Sequence, residues 1–225
     1  MGMKQALNID VFFDLICPWC LIGKRNLAVA RDSFAVLHPE VQVSVKWHPH
    51  RLLPDMPREG VPFEAFYLAR LGSPEAVAMR REQVRRAGTA AGISFAFDRI
   101  QMMPNTRAAH RLINFAQRFG TTKQHERLIE RLFVGYFLLG ENIGDTATLA
   151  RIALECGFTG ASKAYLDVST ERGRIASPER TYEMPPGSGV PYFVFDRRQA
   201  LSGAQQPQTL LTAMQAMVCA ERLER

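Results

Sequence analysis

Cys17-Pro18-Trp19-Cys20 is the stretch of this sequence best suited to chemistry. Two thiols separated by two residues close a small disulfide ring with little movement of the chain. Upstream, Leu7 to Phe13 alternates as a strand does. Downstream, Leu27, Ala30, Phe34 and Leu37 recur at helical spacing. Cys17 therefore falls at the mouth of a helix, where unpaired backbone N–H groups and the positive end of the helix dipole favour its thiolate. The thiolate is the attacking species in disulfide exchange, so Cys17 and Cys20 read as a redox pair. Pro18 suits the first helical position because it has no N–H to leave unpaired.

Two other readings compete. A zinc site built on this pair needs two further ligands, and Cys156 and Cys219 are isolated and far apart. His48 and His50 are candidates to supply them, although an H-x-H beside Trp47 at a strand end is commonly ordinary edge chemistry. Inert core thiols are the second alternative. The position of the pair between a strand and a helix favours redox work over both, and no metal is expected. Cys156 and Cys219 lie on helical runs and read as small core hydrophobes.

The bulk properties set the setting for that chemistry. A chain of 225 residues, 47% hydrophobic and 22% charged, has mass enough for one elaborated domain or two small ones. Its most apolar run, Phe133 to Leu139, is far too short to span a membrane, so no membrane partner is expected. The start, Met1 to Asp10, has no apolar signal core, which points to the cytoplasm. Four cysteines with one close pair also fit a reducing compartment. The net charge of +6 is densest at Arg80, Arg81, Arg85 and Arg86, without interleaved aromatics or a nucleic-acid motif. The charge reads as solubility and attraction for acidic thiols such as glutathione, with no nucleic-acid partner.

The elements that must hold the pair follow in order. A strand over 9–13, a helix from Cys17 to about His38, and a second strand carrying Val41, Val43, Val45 and Trp47 make a β-α-β unit with parallel strands. Loop composition from Pro54 to Gly60 opens a long helical stretch. Gly72, Gly92, Gly120, Gly140, Gly157 and Gly173 sit at helix ends, Ser73-Pro74 and Asp145 at helix starts, and Thr121 to Gln124 has capping-box spacing. One amphipathic helix carries Leu128, Ile129, Leu132, Phe133, Tyr136 and Phe137. Strands return at Tyr192–Phe195 and over 199–202, with a turn at Asp196-Arg197-Arg198 and a last helix near Pro207. The expected fold is α/β: a four-stranded mixed sheet with helices on both faces and a large inserted α-helical subdomain. The boundaries are 1–53 with 187–225 for the sheet domain and 54–186 for the insertion. Between them, Val190-Pro191 opens the third strand. Proline is tolerated there at an edge, strand start or bulge. A cis bond would present the Val190 backbone to an extended partner beside the cysteines.

The blocks Asp14-Leu15-Ile16-Cys17-Pro18-Trp19-Cys20-Leu21-Ile22-Gly23-Lys24, Leu53 to Pro57, Pro104-Asn105-Thr106 with Ala109 to Leu112, Gly189 to Val194 and Ser202-Gly203-Ala204-Gln205 carry a resemblance. Together they resemble the DsbA-like thioredoxin-fold oxidoreductases, in particular the FrnE-like branch related to 2-hydroxychromene-2-carboxylate isomerases and kappa-class glutathione transferases. The resemblance implies a thioredoxin fold with a helical lid, Cys17 attacking, Cys20 resolving, and Pro191 as the cis-proline of a substrate groove lined also by Pro18, Trp19 and Val190. Asn105 and His110 match an Asn-Thr…His-Arg-Leu pattern and would face the thiols from the lid. His110 reads equally as a buried histidine bonded to a carbonyl. Asp14 is a candidate for proton transfer from Cys20, or simply ends a strand. The expected activity is protein thiol-disulfide exchange on a thiol- or disulfide-containing protein or small molecule. No cofactor is tightly bound, glutathione serves as substrate or co-substrate, and the protein is a monomer or homodimer. The isomerase and transferase relatives commonly place serine at the position of Cys17, so a glutathione-dependent isomerase or transferase acting on an aromatic or polyketide-like molecule is the alternative. A holdase-like binding module is the non-enzymatic one. The proline breaks at Ser177-Pro178 and Pro185-Pro186-Gly187 depart from the family's charged approach to the Pro191 loop.

Overall fold

The computed structural model describes residues 6–158 and 184–223. Gly173, Ser177 and Pro178 lie outside the described residues. The chain divides into two compact units, Met1–His50 with Arg180–Arg225, and Arg51–Glu179.

The first unit carries the sheet. β1 (Ala6–Phe13) pairs in parallel with β2 (Gln42–Pro49), joined by α1 (Pro18–Leu37). A parallel pair needs a long crossover, and the twenty residues of α1 supply it. β5 (Tyr192–Phe195) runs antiparallel to β1, and β6 (Gln199–Ser202) antiparallel to β5, giving the order β2-β1-β5-β6. Asp196 and Arg197 both have positive φ, as a tight hairpin turn demands, and Arg198 N–H closes it on the Phe195 carbonyl at 2.9 Å. α7 (Pro207–Leu223) follows and packs on α1. This mixed sheet with its β-α-β and β-β-α halves is the thioredoxin-like arrangement.

Alternation along β1 sorts the two faces. Ile9, Val11 and Phe13 point one way, aligned with Phe193, Phe195 and Trp47, and all are buried. Leu27, Ala30 and Phe34 of α1 are also buried, each 1% exposed or less. Full burial of a side chain the size of Phe34 stabilises by roughly 2–3 kcal/mol. The α1 periodicity therefore both makes the helix and fixes the face it buries. The buried stripe of α7 is Leu210, Leu211, Met214, Met217 and Val218. Cys219 falls one residue past that stripe and is exposed, which corrects its expected place in the core; Cys156 is buried as expected.

The second unit is mainly helical. β3 (Val61–Pro62) and β4 (Met102–Met103) form a short antiparallel pair. The helices are α2 (Phe63–Leu71), α3 (Pro74–Ala90), α4 (Arg107–Phe119), α5 (Thr122–Val134) and α6 (Thr146–Glu155). Ser73 and Asp145 cap α3 and α6 with their side chains, and Thr121 with Gln124 forms the full capping box of α5. The run expected as one helix through Phe137 departs from α geometry after Val134. Residues Gly135–Leu139 make a π turn, whose wider winding keeps Tyr136 and Phe137 inside the core. Glu141 beside this turn takes both Nη atoms of Arg131 at 2.6 and 2.9 Å and Nη2 of Arg151 at 2.7 Å. Gly120 ends α4 with extended backbone instead of a left-handed cap.

Candidate active site

Cys17 is the N-cap of α1, extended at φ −91° and ψ 110°, with Pro18 opening the helix. Backbone bonds fix the turn that delivers it. Cys17 N–H donates to the Asp14 carbonyl at 3.2 Å, and Cys20 N–H to the Cys17 carbonyl at 3.0 Å. Both sulfurs are unbonded thiols. Both are buried, Cys17 with 6% exposure and Cys20 with 1%. The thiol of Cys17 makes no capping bond with the helix. It turns instead to the Val190 carbonyl, to which Sγ donates at 3.6 Å. A neutral S–H is a donor and seeks an acceptor, whereas the helix mouth offers only N–H groups.

Cys20 is held protonated well above the ordinary thiol range. Burial is the main cause, followed by its hydrogen bond to the Cys17 sulfur and the repulsion its anion would meet there; a bond from the Asp14 backbone opposes the shift, and the Asp14 charge adds to it. Asp14 itself is fully buried. The arrangement therefore pairs Cys17 at the helix mouth with a protonated, more deeply buried Cys20.

The Val190–Pro191 peptide is cis, and both residues are buried. Three contacts hold this loop, one from the helix and two from the turn at the end of β6. Gly23, one turn past the cysteines, packs so closely that a Cβ there would lie 2.8 Å from Pro191 Cγ and 3.1 Å from Phe193 Cζ. Gly203 N–H donates to the Pro191 carbonyl at 2.8 Å, and Ser202 Oγ to the Gly189 carbonyl at 3.4 Å. The structure thus brings together Cys17, Cys20, Asp14, Val190 and Pro191 in one unit, with Pro18 and Trp19 half-buried at the helix mouth.

The DSBA-like thioredoxin domain family matches residues 8–215, a span that takes in both cysteines, the whole inserted stretch and the Pro191 loop. The chain belongs to this family. It is 26% identical over 192 residues to the uncharacterized protein YwbO of Bacillus subtilis (strain 168), covering 84% of this chain and 87% of that one. Among solved structures it resembles a probable DsbA oxidoreductase from Streptomyces coelicolor, with a TM-score of 0.77, 23% identity, and 92% and 88% of the two chains covered. It also resembles the cytosolic disulfide reductase DsbM from Pseudomonas aeruginosa with GSH, with a TM-score of 0.58, 15% identity, and 94% and 98% covered.

The remaining residues singled out by the DsbA-like motifs lie in the helical unit. Asn105 is occupied there: its Nδ2 donates to the Met56 carbonyl at 2.5 Å and its Oδ1 accepts from Arg107 N–H at 2.9 Å, tying the 53–57 block to the start of α4. His110 is completely buried in α4. His48 Nε2 lies 2.6 Å from Asp10 Oδ1, and its ring stacks on Phe12 at 4.8 Å. No group of three or more His, Cys, Asp or Glu side chains suited to a metal occurs among the described residues. No helix among them is long and apolar enough to cross a membrane. The basic run is paired: Arg81 with Glu64, Arg85 with Asp98, and Arg86 with Glu82.

Sequence reasoning missed Asn26, a 6% exposed residue of α1 whose Nδ2 donates to the Gln205 carbonyl at 2.8 Å. A signal existed. Asn26 stands on the stripe marked by Gly23, Leu27, Ala30 and Phe34, and a polar residue on a buried stripe requires a specific partner.

Proposed function

We propose that the protein is a thiol-disulfide oxidoreductase in which Cys17 attacks and Cys20 resolves. The observation that carries this reading is the seating of Cys17 at the mouth of α1, with its Sγ 3.6 Å from the Val190 carbonyl and a protonated, buried Cys20 beside it. Cys17 loses its proton and attacks one sulfur of a substrate disulfide. The S–S bond breaks, one substrate sulfur leaves as a thiolate and takes up a proton, and a mixed disulfide remains on Cys17. Cys20 then gives up its proton, with Asp14, whose charge acts on this thiol, as the acceptor, and attacks the Cys17 sulfur. The second substrate thiol leaves, and two electrons have passed from the protein dithiol to the substrate. The Val190 carbonyl, released from the Cys17 thiol, accepts an N–H of the extended substrate, with Pro18, Trp19 and Pro191 flanking it.

Two glutathiones return the pair to the dithiol, each oxidised to half of a glutathione disulfide. Glutathione as co-substrate and a cytoplasmic setting are supported by the likeness to a cytosolic disulfide reductase solved with GSH. The poise of that compartment keeps pairs of this kind reduced, so the forward direction is reduction of substrate disulfides. Asn105 and His110 have no step in this scheme; Asn105 organises its own unit.

The deciding experiment is insulin disulfide reduction with glutathione as the reductant. Cys17→Ser is expected to abolish turnover, and Cys20→Ser to accumulate a mixed disulfide visible by mass spectrometry. Turnover by Cys17→Ser equal to the wild type would overturn the scheme, and survival of activity toward a small aromatic substrate in Cys20→Ser would shift it toward an isomerase.

A further inference from the structure

Asn26 links α1 to the loop opposite Cys17 by a short chain of bonds, all within the sheet unit. Its Nδ2 donates to the Gln205 carbonyl at 2.8 Å. The turn it grips is closed on itself, since Gln205 Nε2 donates to the Ser202 carbonyl at 2.5 Å and Gln205 N–H to the Gly203 carbonyl at 2.9 Å. The same turn holds the loop, through Gly203 N–H on the Pro191 carbonyl and Ser202 Oγ on the Gly189 carbonyl. One residue before Pro191 is the carbonyl that accepts from Cys17.

Asparagine is a poor choice for the buried face of a helix, where leucine or alanine favours both the helix and the core. A buried amide is tolerated only while its hydrogen bond is made. The bond belongs neither to the β5–β6 ladder nor to the apolar packing of α1 on α7. What it adds is a tether between the helix that bears the sulfurs and the turn that bears the Pro191 loop.

We propose that Asn26 is a positioning residue: acting through the 202–205 turn, it holds the Val190 carbonyl in register with the Cys17 sulfur, so that a bound peptide disulfide is presented for attack. The proposal rests on the disulfide-exchange reading above. Asn26→Leu removes the donor at similar volume, and Asn26→Asp keeps the shape but sets a carboxylate against the Gln205 carbonyl.

Three measurements separate positioning from fold. In both variants, reaction of the reduced protein with a disulfide-bonded peptide is expected to slow about tenfold, the scale of one buried hydrogen bond with its partner left unpaired. Alkylation of Cys17 by iodoacetamide, which needs no pairing with the loop, is expected to stay within about twofold of wild type. Hydrogen exchange at the Gly203 amide is expected to quicken about tenfold while the amide of Val11 in β1 is unchanged. Unchanged protection at Gly203, unchanged peptide exchange, parallel loss of alkylation, or failure of both variants to fold each overturns the proposal. If the wild type itself reacts with no disulfide, the functional reading falls, and the Gly203 amide alone still decides whether Asn26 holds the loop.

Discussion

Gly23→Ala sets two opposed effects against each other, and the structure says which wins. In the interior of an exposed helix, alanine in place of glycine gains about 1 kcal/mol because glycine leaves more backbone entropy to lose. At Gly23 the added Cβ would stand 2.8 Å from Pro191 Cγ and 3.1 Å from Phe193 Cζ. Carbon atoms prefer about 3.5–4.0 Å, so one side must yield by roughly 0.5–1 Å. Neither neighbour is a flexible chain end: Pro191 is a buried ring and Phe193 is 0% exposed. Overpacking of this kind costs about 1–3 kcal/mol. The net expectation is a loss of up to about 2 kcal/mol where helix propensity alone predicts a gain. In a chain of this size each kcal/mol moves the Tm by about 2–4 °C, so the melting temperature should fall by a few degrees.

The same displacement has a chemical readout. If Pro191 yields, the Val190 carbonyl moves with it relative to Cys17, and a misplacement near 1 Å at a reacting centre costs as much as about a hundredfold in rate. Thermal unfolding and the second-order rate with a disulfide-bonded peptide are the two assays, with exposed Ser33→Ala on the same helix as the propensity control. A Gly23→Ala protein that melts a few degrees higher than wild type and exchanges disulfides at the same rate would refute the reasoning, because the contact would then have slack to absorb a methyl group.

Two further predictions concern the helical unit. His125 is 7% exposed, its Nε2 has no hydrogen-bond partner, and burial pushes its pKa down from 6.5 to about 4. A depressed histidine contributes in full above pH 6.5 and loses that contribution as pH falls toward 4. The shift is worth about 3 kcal/mol at about 1.4 kcal/mol per unit. Urea titrations from pH 7.5 to 4.5 should show that decline in the wild type and a flatter profile in His125→Gln; parallel profiles would count against it. Glu141→Gln removes the charge that Arg131 and Arg151 share beside the π turn, a half-buried site where the loss should be about 1–2 kcal/mol by thermal unfolding. A Tm within 1 °C of wild type (roughly 0.3 kcal/mol) would show that the network is idle.

Much of the sheet unit was legible because its signals are local. Alternation over 9–13 and 41–47, the 3-4-3 spacing of Leu27, Ala30, Phe34 and Leu37, and the cysteines between them each span a dozen residues or fewer, within reach of periodicity. Helix starts at Ser73, Thr121 and Asp145 were legible for the same reason, since a cap acts over three residues. The π turn after Val134 was not. Its apolar spacing continues that of α5, and the change in winding follows from where Tyr136 and Phe137 must be buried, which no local window contains.

The site divides along the same line. Cys17, Cys20 and Pro18 were legible as a motif, and Val190-Pro191 as a proline at a strand start. The bonds that set their mutual distance join positions 173 to 179 residues apart: Cys17 to Val190 and Asn26 to Gln205. Each uses a backbone carbonyl as acceptor, and a carbonyl is the same whatever residue carries it, so the residues at 190 and 205 do not by themselves name the donor that reaches them. Only the donor side leaves a trace, as with the asparagine on the buried stripe of α1. Asn105 shows the converse case. Its motif was visible, while the bonds its amide makes, to the Met56 carbonyl and from Arg107 N–H within its own unit, were not. Residue type therefore identifies which atoms can do the chemistry, while the precision of the site depends on backbone acceptors that the fold alone brings within reach.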